Sequence, residues 1–228
     1  MFDTSPKHGR ASFLNAPLVV ILIISLCFLA YVVPTYFFSP MLEDQFIVTF
    51  SFIPTLFFNA PGQHWYSAVS YSFLHASWAH VGSNMAWFLV FGTPLANRLG
   101  TMRFLLFWLV MAALALLPYG FFYANNSTPL VGASGAVAAL MGAGARYGFA
   151  RPPLLQSRGR PTFTGPLLPV GEALHLQIVI VFLGFWLLTN LVIGFINWQF
   201  ADWGTSIAWQ AHIGGLVAGF FLIGLFDP

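Results

Sequence analysis

The chain reads as a series of long apolar runs broken by short polar turns. Crossing a hydrocarbon core takes about 20 mostly apolar residues in a helix. Runs near that length cover residues 16–38, 71–95, 104–123, 130–145, 176–195 and 205–226. The pattern predicts six membrane-crossing helices. A further apolar stretch, 46–59, is short, contains Pro54 and follows Glu43-Asp44, and Pro61-Gly62 closes it with a turn signal. The run 130–145 is short for a span, and Gly132 and Gly135 weaken its first turn. A chain that dips inward before becoming helical accounts for this. Such irregular backbone is tolerated at depth only where protein buries it or a wet cavity receives it.

Charge arbitrates the stretch 46–59. With six spans, the N-terminus, the 98–103 turn, the 146–173 loop and the C-terminus share one side. That side then carries Lys7, Arg10, Arg98, Arg103, Arg146, Arg151, Arg158 and Arg160, all eight basic residues of the chain. A seventh crossing at 46–59 would part Lys7 and Arg10 from the rest. The positive-inside rule therefore favours six spans with both termini cytoplasmic. It leaves 46–59 as a lateral or partly inserted segment on the outer side. Lys7 and Arg10 ahead of the first run mimic a secretory signal. The run is too long for one and lacks a convincing cleavage site, so a retained signal-anchor is expected. The organisation expected is a cytoplasmic tail, residues 1–15, and a single all-α membrane domain, residues 16–228.

Composition supports a multi-pass integral membrane protein. Of the 228 residues, 58% are hydrophobic and 6% charged, against about 25% charged in soluble proteins. Mean hydropathy is +0.80. A net charge of +2 gives no reason to expect nucleic acid as a partner. The single cysteine, Cys27, excludes an intramolecular disulfide and a cysteine metal cluster. No cofactor or metal is expected. Asn125-Asn126-Ser127-Thr128 contains glycosylation sequons, which carry little meaning if the organism is bacterial.

Polar side chains inside the spans are few, and burying them in lipid is costly enough that function is the usual reason. His75, His80 and Asn84 lie in the second span, Ser134 opens the fourth, and His212 lies in the sixth. Counting 1.5 Å per residue from the outer side puts His80 roughly 14 Å down and His212 about 10 Å down. Ser134 follows an outer loop and reaches similar depth through about 15 Å of extended chain. A serine hydroxyl needs a base to become a nucleophile, and His212 is the histidine outside the second span at suitable depth. His64 belongs to the outer loop, His175 to the opposite side and His8 to the tail. The first turn of a helix at Ser134 offers free N–H groups and a positive dipole end to a developing oxyanion. His80 and Asn84, four residues apart, share a helix face and can both donate to it. Asp202 and Asp227 lie away from His212, so a Ser–His pair with the histidine oriented by packing is expected. Each feature also has a plainer reading. Ser134 alone suits close helix packing, a lone intramembrane histidine suits a core residue or a proton relay, and Gly215-x3-Gly219 is a common packing motif. Gly142 and Gly144 suit close packing too. Trp87, Phe88, Trp198, Phe200 and Trp203 suit interface anchors or core.

Taken together, His75-x4-His80-x3-Asn84, Gly132-x-Ser134-Gly135 and Ala211-His212-x2-Gly215-x3-Gly219, in that order on spans two, four and six, resemble the rhomboid intramembrane serine proteases over residues 10–226. The resemblance implies a six-helix bundle with a partly embedded loop between helices 1 and 2. It implies an endopeptidase that cuts single-pass membrane proteins in or near their transmembrane segment. Ser134 matches the nucleophile and His212 the general base. His80, Asn84 and the Ser134 N–H match the oxyanion site, and Gly215 and Gly219 match the glycines that press helix 6 on helix 4. Residues 196–203 and the fifth span match the substrate gate and cap. A bacterial inner membrane is the expected location. Two positions depart from many bacterial members. Ala138 stands where a tyrosine stacks on the catalytic histidine, and the 38–70 loop has no arginine. The competing readings are a non-catalytic rhomboid-like binder of membrane clients and a proton or metal transporter using His75, His80 and His212. The transporter predicts polar groups reaching both sides, whereas the inner halves of the spans are almost wholly apolar.

Overall fold

The computed structural model describes residues 16–149, 161–200 and 208–228, and all regular elements among them are helices. Helix α1 spans Leu18–Phe37. The loop that follows is itself helical: α2 (Pro40–Phe50), α3 (Pro54–Asn59), α4 (Pro61–His64) and α5 (Ser67–Ser70). Prolines start three of these short helices, where a missing N–H costs nothing and φ is already helical. The stretch 46–59 is therefore two helical pieces broken at Ser51–Ile53, with Pro54 opening the second.

The second expected span begins later than its apolar run. Tyr71–Phe73 form a 3-10 turn, and α6 runs from Trp78 to Leu99. Ser77 sets this start: its extended backbone and its Oγ, which accepts from His80 N at 3.1 Å, cap the helix. His75 consequently lies ahead of the helix, not within it. Gly100, at φ +75°, ends α6 and immediately begins α7 (Thr101–Tyr123). Only glycine takes that turn without strain.

After α7 the chain turns at Ala124–Asn125 and stays non-helical up to Ala133, as the weak first turn of the 130–145 run predicts. Phe52 and Leu130 exchange backbone hydrogen bonds at 3.0 and 2.9 Å, and Gly132 N donates to Tyr71 O at 3.0 Å. The loop after α1 thus pins the segment that leads to α8 (Ser134–Arg146). A four-residue turn, α9 (Val170–Ala173), precedes α10 (Gln177–Phe200), and α11 covers Trp209–Leu222 with a 3-10 tail to Leu225.

Among the described residues, three helical stretches are long and apolar enough to cross a membrane: Leu18–Phe37, Thr101–Tyr123 and Gln177–Ile196. Helix α6 has the length, but histidine, asparagine and arginine dilute it. Helices α8 and α11 have 13 and 14 residues, about 20 Å of rise each. These two form the centre. Helix α8 is buried along almost its whole length and packs most extensively on α11, then on α6 and α7. The pairing of α8 with α11 is parallel and tight. A Cβ on Gly215 would overlap Gly135 O, one on Gly219 would overlap Ala139 O, and one on Gly142 would overlap Leu216 O. Backbone thus touches backbone along the seam, as small residues permit in membrane helices. Gly144, by contrast, faces the rings of Phe163 and Phe149. Phe88 is core, whereas Trp87 is half exposed. Trp198, Phe200 and Trp203 have side chains outside those described.

The far ends of the same helices are tied together. Arg98, in the last turn of α6, binds both carboxylate oxygens of Asp227 at 2.8 and 2.9 Å. Tyr147, just past α8, donates to the same carboxylate at 2.8 Å. Arg146 donates to Phe220 O at 2.9 Å and to Leu168 O at 2.7 Å. It thereby satisfies a carbonyl in the last turn of α11.

Candidate active site

Three parallel helices begin at one place. Ser134 is the first residue of α8, His80 the third of α6 and His212 the fourth of α11. The first turns of these helices leave N–H groups without intrahelical partners, and their positive dipole ends converge. The glycine seam sets the approach of α8 and α11, and at its open end Ser134 Oγ lies 2.7 Å from His212 Nε2.

Hydrogen-bond partners assign the tautomers. Asn190 Nδ2 donates to Trp186 O at 2.9 Å, so the amide oxygen faces the other way. That oxygen lies 2.8 Å from His212 Nδ1, which must carry the hydrogen. His212 Nε2 is left with its lone pair toward Ser134, the state a general base requires. Sequence reasoning left the orientation of His212 to packing. The correction is a hydrogen bond from α10, with the Trp186 ring also near, its centroid 6.3 Å from that of the imidazole. Asn190 was missed because one asparagine in an apolar span reads as helix-to-helix glue. Its signal was the polar group itself, at mid-span in LLTNLVIG.

The two other histidines complete the surroundings. His75 Nδ1 donates to Phe73 O at 3.2 Å, and its Nε2 accepts from Ala133 N at 3.5 Å, holding the residue before Ser134. The His75 and His80 rings meet edge to face at 5.0 Å. His80 Nδ1 accepts from Ala76 N at 3.5 Å, so the hydrogen sits on Nε2. That nitrogen presses on Gly132, where a Cβ would come within 2.7 Å of it and 3.7 Å of Ser134 Oγ. Gly132 has φ +129°; the conformation and the space both call for glycine. Gly135 faces Ala115, whose Cβ would lie 2.8 Å from an added one. Asn84, one turn below His80, is buried, and its Nδ2 has no hydrogen-bond partner. A buried amide donor left unpaired costs about 1–3 kcal/mol. Such a donor, one helical turn from His80 on the same face of α6, is of the kind an oxyanion would satisfy.

The structure therefore brings together Ser134, His212, His80, His75, Gly132 and Gly135, with Gly215 and Gly219 in the seam and Asn84 one helical turn from His80. His64 lies in the loop helix α4 and His175 bonds Gly171 O beyond α9, both outside this cluster. His8, Asp202 and residues 201–203 of the expected cap fall outside the described residues. Among the described residues no group of histidine, cysteine or carboxylate side chains could hold a metal ion. Ala138 is buried in α8 and leaves the face of His212 to α10. No curated protein matches the chain. A family model described as the Rhomboid domain matches residues 62–226.

Proposed function

The chain belongs to the rhomboid family, and from that premise we propose that it is an intramembrane serine endopeptidase. It is an integral membrane protein, with three helices among the described residues long and apolar enough to span. In the proposed topology α1, α6, α7, α8, α10 and α11 are six spans of one domain, with both termini cytoplasmic and the site near the outer face. The substrates are single-pass membrane proteins cut in or beside their transmembrane segment, and the bilayer of a bacterial inner membrane is the setting.

The observation that carries this reading is the 2.7 Å contact of Ser134 Oγ with His212 Nε2. The tautomer set by Asn190 and the unpartnered Asn84 amide support it. In the reaction, Ser134 Oγ bonds to the scissile carbonyl carbon as His212 Nε2 takes its proton. The carbonyl oxygen becomes an oxyanion facing His80 Nε2–H, Asn84 Nδ2–H and the Ser134 N–H. Three helix dipoles point their positive ends there. The C–N bond then breaks, and the proton passes from His212 to the leaving amine. Water, deprotonated by His212, cleaves the acyl-enzyme and restores Ser134.

Reconstitution with a model single-pass substrate tests this. Wild type should cut it, and Ser134→Ala and His212→Ala should each abolish cutting. Inert but folded wild type, or cutting that survives Ser134→Ala, would overturn the reading. A folded wild type that binds the substrate without cutting it would point to a client-binding protein.

A further inference from the structure

Asn190 contributes to the site from the least enclosed helix of the bundle. Only 17% of the apolar window of α10 is buried, against 50% for α7. Among the described residues, α10 meets its neighbour α11 along a stripe at helical spacing that includes Trp186, Asn190 and Gly194, with Val179 and Leu183 against Phe220 further along. Trp209, the first residue of α11, lies so close to Gly194 that a Cβ there would come within 2.6 Å of its ring. One turn further along α11, His212 meets Asn190 and Trp186. The stripe thus seats α10 on the helix that carries the base, and its polar member bonds the base itself.

We propose that Asn190 is the positioning residue for His212, holding its imidazole in the Nδ1–H tautomer while α10 is docked on α11. This rests on the protease reading. Undocking α10 removes the acceptor, and with Ala138 in place of a larger side chain α8 supplies no ring against the imidazole. The freed ring can rotate or move its hydrogen to Nε2, and Ser134 then loses its base. The state of a peripheral helix is thereby read out as base strength at the centre. An asparagine serving only as glue between helices would act on stability and leave the tautomer alone.

The test compares Asn190→Leu, Asn190→Asp and Gly194→Val with wild type in detergent and in proteoliposomes. Turnover of a single-pass substrate, labelling by a fluorophosphonate probe and the 15N spectrum of labelled histidine are read, with His212→Ala identifying the His212 signal. Asn190→Leu should lower kcat and labelling about 10- to 100-fold, the usual span for a group that orients another. KM should hold, and the His212 signal should lose its pure Nδ1–H character. Asn190→Asp, which keeps the acceptor, should recover most of kcat and the tautomer. Gly194→Val, which pushes α10 from Trp209, should reproduce the leucine variant in labelling and spectrum. Wild-type kcat in Asn190→Leu, or an unchanged tautomer in that variant, would overturn the assignment. So would equal losses in the leucine and aspartate variants at unaltered tautomer, because they mark a structural role. Wild type that neither cuts nor labels would instead sink the protease reading.

Discussion

At the scale of single residues, the polar side chains clustered at the site divide into those already satisfied and one that is not, Asn84; Ser51, Thr93 and Trp108 also carry a buried atom without a partner among the described residues. Ser134, His75, His80 and His212 all have hydrogen-bond partners, whereas the buried Nδ2 of Asn84 has none. A group that waits for an oxyanion contributes to the transition state and not to the resting fold. Asn84→Ala is therefore expected to lower kcat by about 10- to 1,000-fold, the effect of losing an oxyanion donor. Steady-state cleavage of the model substrate checks this, and rates equal to wild type would remove Asn84 from the site. The residues that meet were legible because polar side chains stand out in apolar runs and three of them sat at matching depth. Asn190 was not, because bonding depends on how α10 rotates against α11, which no spacing within span five reveals.

At the scale of elements, the seam between α8 and α11 decides whether the site forms. Nothing at Gly215 can yield, since the atom a methyl would meet is the Gly135 carbonyl oxygen. Gly215→Ala should separate the helices, cost about 1–3 kcal/mol or more and abolish fluorophosphonate labelling. Gly184→Ala on α10 meets nothing within 4 Å. It should leave labelling intact and stabilise the helix by up to about 1 kcal/mol. Thermal unfolding in detergent gives the stability half of the comparison, and equal behaviour of the two variants would contradict the close-packed seam. The pairing was foreshadowed by Gly215-x3-Gly219. The start of α6 was not, because residues 71–77 continue the apolar run, and the helix waits for the Ser77 cap.

At the scale of the whole molecule, a polar tie holds α6, α8 and the tail of α11 at the end opposite the site. Its centre is Asp227. Burial raises the pKa of this carboxyl, but hydrogen bonds from Arg98 and Tyr147 outweigh it and hold the group below its usual range. The tie therefore stabilises the fold above the ordinary carboxylate pKa and is lost as pH falls through the lower, folded value. Asp227→Asn should unfold at lower temperature than wild type at pH 7, by about 1 kcal/mol for a partly exposed pair. The gap should close in strong acid, and a gap independent of pH would assign the loss to shape instead of charge. Arg98 and Asp227 stand 129 residues apart, a distance over which the sequence offers no pairing rule. At the other end, backbone meets backbone between α8 and α11, so Ser134 and His212 keep their spacing without any flanking side chain. The brace for the ring is thereby an interchangeable part. The seam sets how far the serine lies from the histidine, and α10 sets which way the imidazole turns, so either can change while the other stays.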